Sequence, residues 1–244
     1  MTQAILYGFL GAIALFGGAV CGSFFKVKPK IIGVIMAFGA GALIAALSFG
    51  LLEEAHSLAG LIHTIWAFVF GGMIFAFGDY LIINLGGRGH KRVYDTEKTS
   101  SSGWAIVLAA TLDGIPESLA LGVALLLGKS LGLLMVIAIF VSNFPEGISS
   151  AYDLLRAGFS KKKILLTWLV VALIGFIFVI FGYTVFGHIA PAILGITEAI
   201  AAGALLAMIA STMMPESFQE SGLLISMATI LGFITIFILA KMNV

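Results

Sequence analysis

Long apolar runs separated by short polar intervals set the pattern of this chain. Eight runs of roughly 20–26 residues fall near 3–25, 31–52, 61–84, 104–128, 131–156, 163–187, 192–214 and 222–241, each about the length a helix needs to cross a ~30 Å hydrocarbon core. The runs are continuous rather than alternating, which predicts helices and not a transmembrane barrel. Only Gly128, Lys129 and Ser130 separate the fourth and fifth runs, so these two form a tight antiparallel hairpin. The longest polar interval, GGRGHKRVYDTEKTSSSG at 86–103, reads as a flexible cytoplasmic connector. Its single histidine, His90, fits a solvated linker better than a metal-gathering loop. The expected fold is all-α and integral to the membrane, a single domain over 1–244 that contains a loop at 85–103.

Composition strengthens the membrane reading. Hydrophobic residues make up 61% of the 244 positions and charged residues 10%, against about 45–50% and about 25% in soluble domains. A formal charge of +1 gives no reason to expect nucleic acid as a partner. The one cysteine, Cys21, has no internal partner for a disulfide. No basic residue precedes Lys26, so the first run lacks a signal peptide's basic region and is expected to remain as a span.

Charge then orients the spans. Lys26, Lys28 and Lys30 follow run one, Arg88, Lys91, Arg92 and Lys98 follow run three, and Arg156, Lys161, Lys162 and Lys163 mark the interval after run five. These are eleven of the thirteen basic residues, all on one side; only Lys129 and Lys241 fall on the other. Basic residues collect in cytoplasmic loops, so both termini are expected outside a cell membrane. Glu216 and Glu220 put acid in the inner loop after run seven, and acidic residues weigh little in this rule. The thirty glycines, many inside spans, predict close helix–helix packing.

Two runs resemble each other. GAGALIAALSFGLLEEAHSLAG (39–60) aligns without gaps on AAGALLAMIASTMMPESFQESG (201–222), matching Ala40 with Ala202, Gly41 with Gly203, Glu54 with Glu216 and Gly60 with Gly222 among others. Runs two and seven cross in opposite directions, so the likeness is an inverted repeat of spans 1–3 and 6–8 around a central pair, spans 4 and 5. Transporters often have this symmetry, with the substrate site between the repeats near the bilayer midplane.

The central pair carries the chemistry. DGIPES (113–118) and SNFPEG (142–147) superpose Pro116 on Pro145 and Glu117 on Glu146, each near the middle of its span. An ionised acid there costs ~2.5–3.5 kcal/mol, so Asp113, Glu117 and Glu146 together cost ~8–10 kcal/mol. No lysine, arginine or histidine lies at that depth to pair with them; His56, His63, His90 and His188 sit at span ends or in loops. Protonation or a bound cation must compensate. Asp113 and Glu117 share a helix face, as do Ser142 and Glu146, with Asn143 adjoining. Each proline also frees a carbonyl, at Leu112 and at Val141. The result is an oxygen-rich set suited to a divalent metal. Ser149, Ser150 and Asp153 extend the stripe inward as an exit path.

Plainer readings exist for several residues. One proline–acid pair alone reads equally as a kink beside a protonated carboxyl; two matched pairs favour a cation. Asp153 beside Arg156 also fits an interfacial ion pair, and Asp79 a structural contact. Glu53, Glu54 and His56 fit a solvated helix end, and Glu198 has no assigned role.

Eight spans, a long loop after the third and proline–glutamate motifs in spans four and five resemble the ZIP (Zrt-, Irt-like protein) family of divalent-metal transporters. The family pattern reads His-Asn-x-Pro-Glu-Gly in span four and a close variant in span five, and the resemblance implies that Glu117 and Glu146 are metal ligands. The histidine position of span four is Asp113 here, the asparagine position is Gly114, and span five begins its motif with Ser142 and Asn143. Where the family often forms a two-metal site, these departures leave one full site and part of a second. Losing imidazole for carboxylate tilts preference from Zn²⁺ toward Mn²⁺ or Fe²⁺. The resemblance further implies movement into the cytoplasm by an elevator-like or rocking motion, a homodimer, no prosthetic group and no enzymatic activity. Two other functions compete. A non-transporting metal-binding member, acting as sensor or scaffold, is compatible with the lost histidines. An intramembrane aspartyl protease, suggested by Gly78-Asp79 and Tyr152-Asp153, fits worse, because their order is reversed and both aspartates lie near span ends.

Overall fold

In the computed structural model, residues 1–84 and 100–242 are described, and among them every regular element is helical. The helices are α1 Thr2–Phe24, α2 Pro29–Ala59, α3 Leu61–Asn84, α4 Ser100–Leu127, α5 Lys129–Arg156, α6 Lys161–Phe186, α7 Pro191–Ser221 and α8 Leu224–Lys241. All eight are long and apolar enough to cross a membrane, and the chain is a multi-pass membrane protein. Both termini lie on one face. The α1–α2, α5–α6 and α7–α8 connections lie on the opposite face, here the loop face.

Several element ends differ from the hydropathy pattern. Helices α2 and α7 run past the expected ends at 52 and 214 to Ala59 and Ser221. Their last turns, holding Glu53, Glu54 and His56 or Glu216, Gln219 and Glu220, are polar, so hydropathy stops before the backbone hydrogen bonds do. What ends both helices is glycine at positive φ, Gly60 at 78° and Gly222 at 60°, a conformation that side-chain-bearing residues resist. Only Gly128 separates α4 from α5, with Lys129 already helical. Residues 100–103, expected in the loop, open α4 instead. The rest of that loop, with Arg88, His90, Lys91, Arg92 and Lys98, lies outside the described residues.

The inverted repeat is visible at every level of the structure. Helices α2 and α7 both begin on proline, Pro29 and Pro191, where the missing N–H costs nothing. Each is interrupted at the matched position by a π turn, Leu47–Leu51 and Ile209–Met213. A π turn inserts one residue into the helical register and rotates all that follows. The principal helix contacts pair off under the same symmetry: α1–α5 with α6–α4, α2–α8 with α7–α3, and α2–α5 with α7–α4, while α1–α6, α2–α7 and α4–α5 map onto themselves. Small residues set the closest of these approaches. A Cβ on Gly41 would collide with the carbonyl of Thr229 in α8, and one on Gly203 with the carbonyl of Phe68 in α3.

These contacts sort the helices into two groups of four, α1/α4/α5/α6 and α2/α3/α7/α8, which meet through α2–α5, α4–α7 and a few lesser contacts. Exposed Trp66, Phe70 and Phe77 of α3 and Leu166, Leu173 and Phe181 of α6 give the outside its apolar surface. The central pair is therefore held inside, at the seam between the groups.

Candidate metal site at the pseudo-two-fold axis

Helices α4 and α5 each carry an internal proline, Pro116 and Pro145, and remain helical through it, as helices packed against neighbours can. The antiparallel hairpin brings the two motifs together in two layers. Glu117 lies one turn, about 6 Å, nearer the termini face than Asp113; Ser142 lies one turn nearer that face than Glu146. Under the symmetry Glu117 exchanges with Glu146 and Asp113 with Ser142, so the four positions straddle the axis of the fold.

Burial differs between the layers. Asp113, Glu117, Ser142 and Asn143 are buried and Glu146 is half-buried. Asn143 faces the Glu117 carboxylate, and Asp113 is near enough for its charge to act on it. Glu117 Oε1 has no hydrogen-bond partner. Ser142 donates its hydroxyl to the Ile139 carbonyl at 3.0 Å and Ser150 donates to the Glu146 carbonyl at 2.6 Å. The Ser150 proton is thus spent on backbone, whereas that of Ser142 is shared between the Ile139 carbonyl and two side-chain acceptors, Asn143 Oδ1 at 3.5 Å and the Glu117 carboxylate. Among the described residues no three histidine, cysteine, aspartate or glutamate side chains form a ready-made metal cluster. The acids are divided between the layers.

A cavity of about 200 Å³ begins at Asp113 and Glu146 and runs toward the loop face, walled by Ser149, Ser150 and Asp153 of α5 and by Ser211, Thr212, Glu216 and Gln219 of α7. A second cavity of about 370 Å³ continues from Ser149 and Asp153 to Lys26, Arg156 and Glu220 at that face. Asp153 lines both, so the ion pair and the pathway are not exclusive. Asp79 is buried in α3 and lines neither cavity, which separates it from Asp153.

The other half of the pair is sealed. Symmetry maps the polar wall Ser149, Ser150 and Asp153 onto Ala120, Leu121 and Ala124, and Ala109 and Ala110 onto Ala138 and Ile139. All five of these mates are buried in the core. One helix pair thus presents a hydrophilic channel to the loop face and a packed apolar plug to the termini face.

The α7 wall escaped the sequence reading. Glu216 was visible as a third Pro-Glu dipeptide, Pro215-Glu216, after Pro116-Glu117 and Pro145-Glu146. Its hydropathy placed it in a loop, whereas the helix continues and the π turn just before it swings Glu216 and Gln219 toward the central pair.

Residues 85–240, which include the central pair and all but the last residue of the second half of the repeat, match the family model described as ZIP Zinc transporter.

Proposed function

This chain belongs to the ZIP family, whose members are transporters of divalent metal cations, and on that premise we propose that it binds its cargo on the pseudo-two-fold axis of α4 and α5. Asp113, Glu117 and Glu146 supply the carboxylate oxygens, Asn143 and Ser142 an amide and a hydroxyl. The cation draws on both layers at once, and its charge offsets the ~8–10 kcal/mol of burying three acids at mid-membrane. The single observation that carries this reading is the cavity that starts at Asp113 and Glu146 and runs to the loop face through Ser149, Ser150 and Asp153. Glu216 adds a fourth carboxylate to that route.

Among the described residues the loop face holds seven of the nine basic ones, Lys26, Lys28, Lys30, Arg156, Lys161, Lys162 and Lys163, which supports a cytoplasmic loop face with the termini outside; inward flux is what the resemblance implies. Rocking of α1/α4/α5/α6 against α2/α3/α7/α8 would open the apolar plug at Ala120, Leu121, Ala124, Ala138 and Ile139 and close the polar channel. The protein works in the bilayer as a homodimer, as the resemblance implies.

The oxygen-only donor set favours Mn²⁺ or Fe²⁺ over Zn²⁺. Asp113→His restores an imidazole at the position that departs from the family pattern. In proteoliposomes it is expected to raise Zn²⁺ uptake relative to Mn²⁺ by about tenfold, read from competition between the two ions. An unchanged ratio would remove Asp113 from the ligand set.

A further inference from the structure

Glu198 takes no part in the route described above. It lies two turns inside α7 from Pro191, in the half nearest the termini face, and is 0% exposed. Neither of its carboxylate oxygens has a hydrogen-bond partner. Around it α7 is pressed against the last turns of α2 and the start of α3: Gly195 fits against Leu58 and the Ala55 carbonyl, and Ala55, Ala67 and Ala199 cluster together. The described neighbours at these contacts are alanine and leucine side chains. The charged group whose field reaches Glu198 is another acid, Glu54 of α2, which is half-buried. Glu53 and His56 on the same turns are exposed, as is His63 at the start of α3, where its Nδ1 lies 3.0 Å from the Ala59 carbonyl.

Two ionised carboxylates within reach of each other's field, one fully enclosed and with both oxygens unused, are costly unless a proton or a metal cation joins them. Two carboxylates offer up to four oxygens, a donor set that hard divalent cations accept. Glu54 is partly open to solvent and Glu198 is not, so an arriving ion meets Glu54 first and completes its coordination on Glu198. Glu54 is the symmetry mate of Glu216, which lines the cavity on the loop side.

We propose that Glu54 and Glu198 form a second divalent-cation site between the outer halves of α2 and α7, a capture site that loads the central one. The inference rests on the proposed transport function for the identity of the cation and for the central site it loads.

Its test is the number of Mn²⁺ ions held by the purified full-length protein, counted by equilibrium dialysis and electron paramagnetic resonance. Wild type should hold two per chain, and Glu198→Gln, Glu54→Gln and Glu117→Gln one each. In proteoliposomes Glu198→Gln should raise the KM for Mn²⁺ about tenfold, with the maximal rate kept within about twofold. Should Glu198→Gln fail to fold, the partly exposed Glu54→Gln provides the same two readouts. A single ion in wild type that Glu117→Gln removes, or two ions retained in both Glu54→Gln and Glu198→Gln, overturns the capture site, and so does a change confined to the pH dependence of uptake, which would mark a proton site. A count that stays unchanged in Glu117→Gln would instead overturn the central site and leave this one standing.

Discussion

Glu117→Gln and Glu146→Gln should each reduce metal uptake in proteoliposomes by at least about 100-fold, since even partners that only support a ligand are worth about 10–100-fold in affinity. Glutamine keeps the volume and removes the charge, so the loss reports coordination and not packing. Stability should move the other way. The buried carboxylate of Glu117 costs the metal-free protein ~2.5–3.5 kcal/mol, and its neutral isostere escapes most of that cost. Metal-free Glu117→Gln should therefore melt above metal-free wild type, while Mn²⁺ raises the melting temperature of wild type and not of the variant. A structural role predicts the reverse pattern, a lower melting temperature with uptake retained in proportion to folded protein. Since Glu117 and Glu146 are symmetry mates, the two variants should lose uptake alike, while the gain in stability should be smaller at half-buried Glu146. A large difference between them would mean that one layer holds the ion alone.

Gly203→Val should abolish the folded protein, and Gly41→Val should do the same through the matching contact. The added Cβ would meet backbone, the Phe68 carbonyl in one case and the Thr229 carbonyl in the other, and backbone within a packed helix pair has nowhere to retreat. Overpacking typically costs ~1–3 kcal/mol where side chains can adjust; here they cannot, and both helix pairs that frame the scaffold, α3–α7 and α2–α8, would separate. Gly17→Ala is the control, since its Cβ would sit 3.8 Å from the Phe144 ring. It should be neutral or stabilise the helix by ~0.5–1 kcal/mol. Detergent-solubilised yield and size-exclusion profile distinguish the two cases.

How much of this was legible in the sequence depends on what kind of signal each feature leaves. The spans were, because hydropathy over about twenty residues is a collective property that no single substitution hides. The inverted repeat was too, since Gly41 and Gly203, and Gly60 and Gly222, are held in place by backbone geometry that tolerates nothing larger. Glu117 and Glu146 announced themselves by their cost. The π turns did not, because Leu47–Leu51 and Ile209–Met213 are ordinary apolar stretches whose extra residue per turn leaves no compositional mark. Missing them hid the direction in which Glu216 and Gln219 face. Glu198 was equally opaque: an acid two turns from a helix start reads as interfacial until its neighbours are known. The difference between channel and plug lay in plain view, Ser149, Ser150 and Asp153 against Ala120, Leu121 and Ala124, but acquires meaning only once the symmetry that exchanges them is known.

Anomalous X-ray scattering from crystals grown with Mn²⁺ would locate the divalent cation proposed on the pseudo-two-fold axis. A peak is expected between α4 and α5 within about 2.0–2.6 Å of oxygens from Glu117 and Glu146, with Asp113 and Asn143 in the same shell. Protein that holds Mn²⁺ while showing no anomalous density between these two glutamates would contradict that placement.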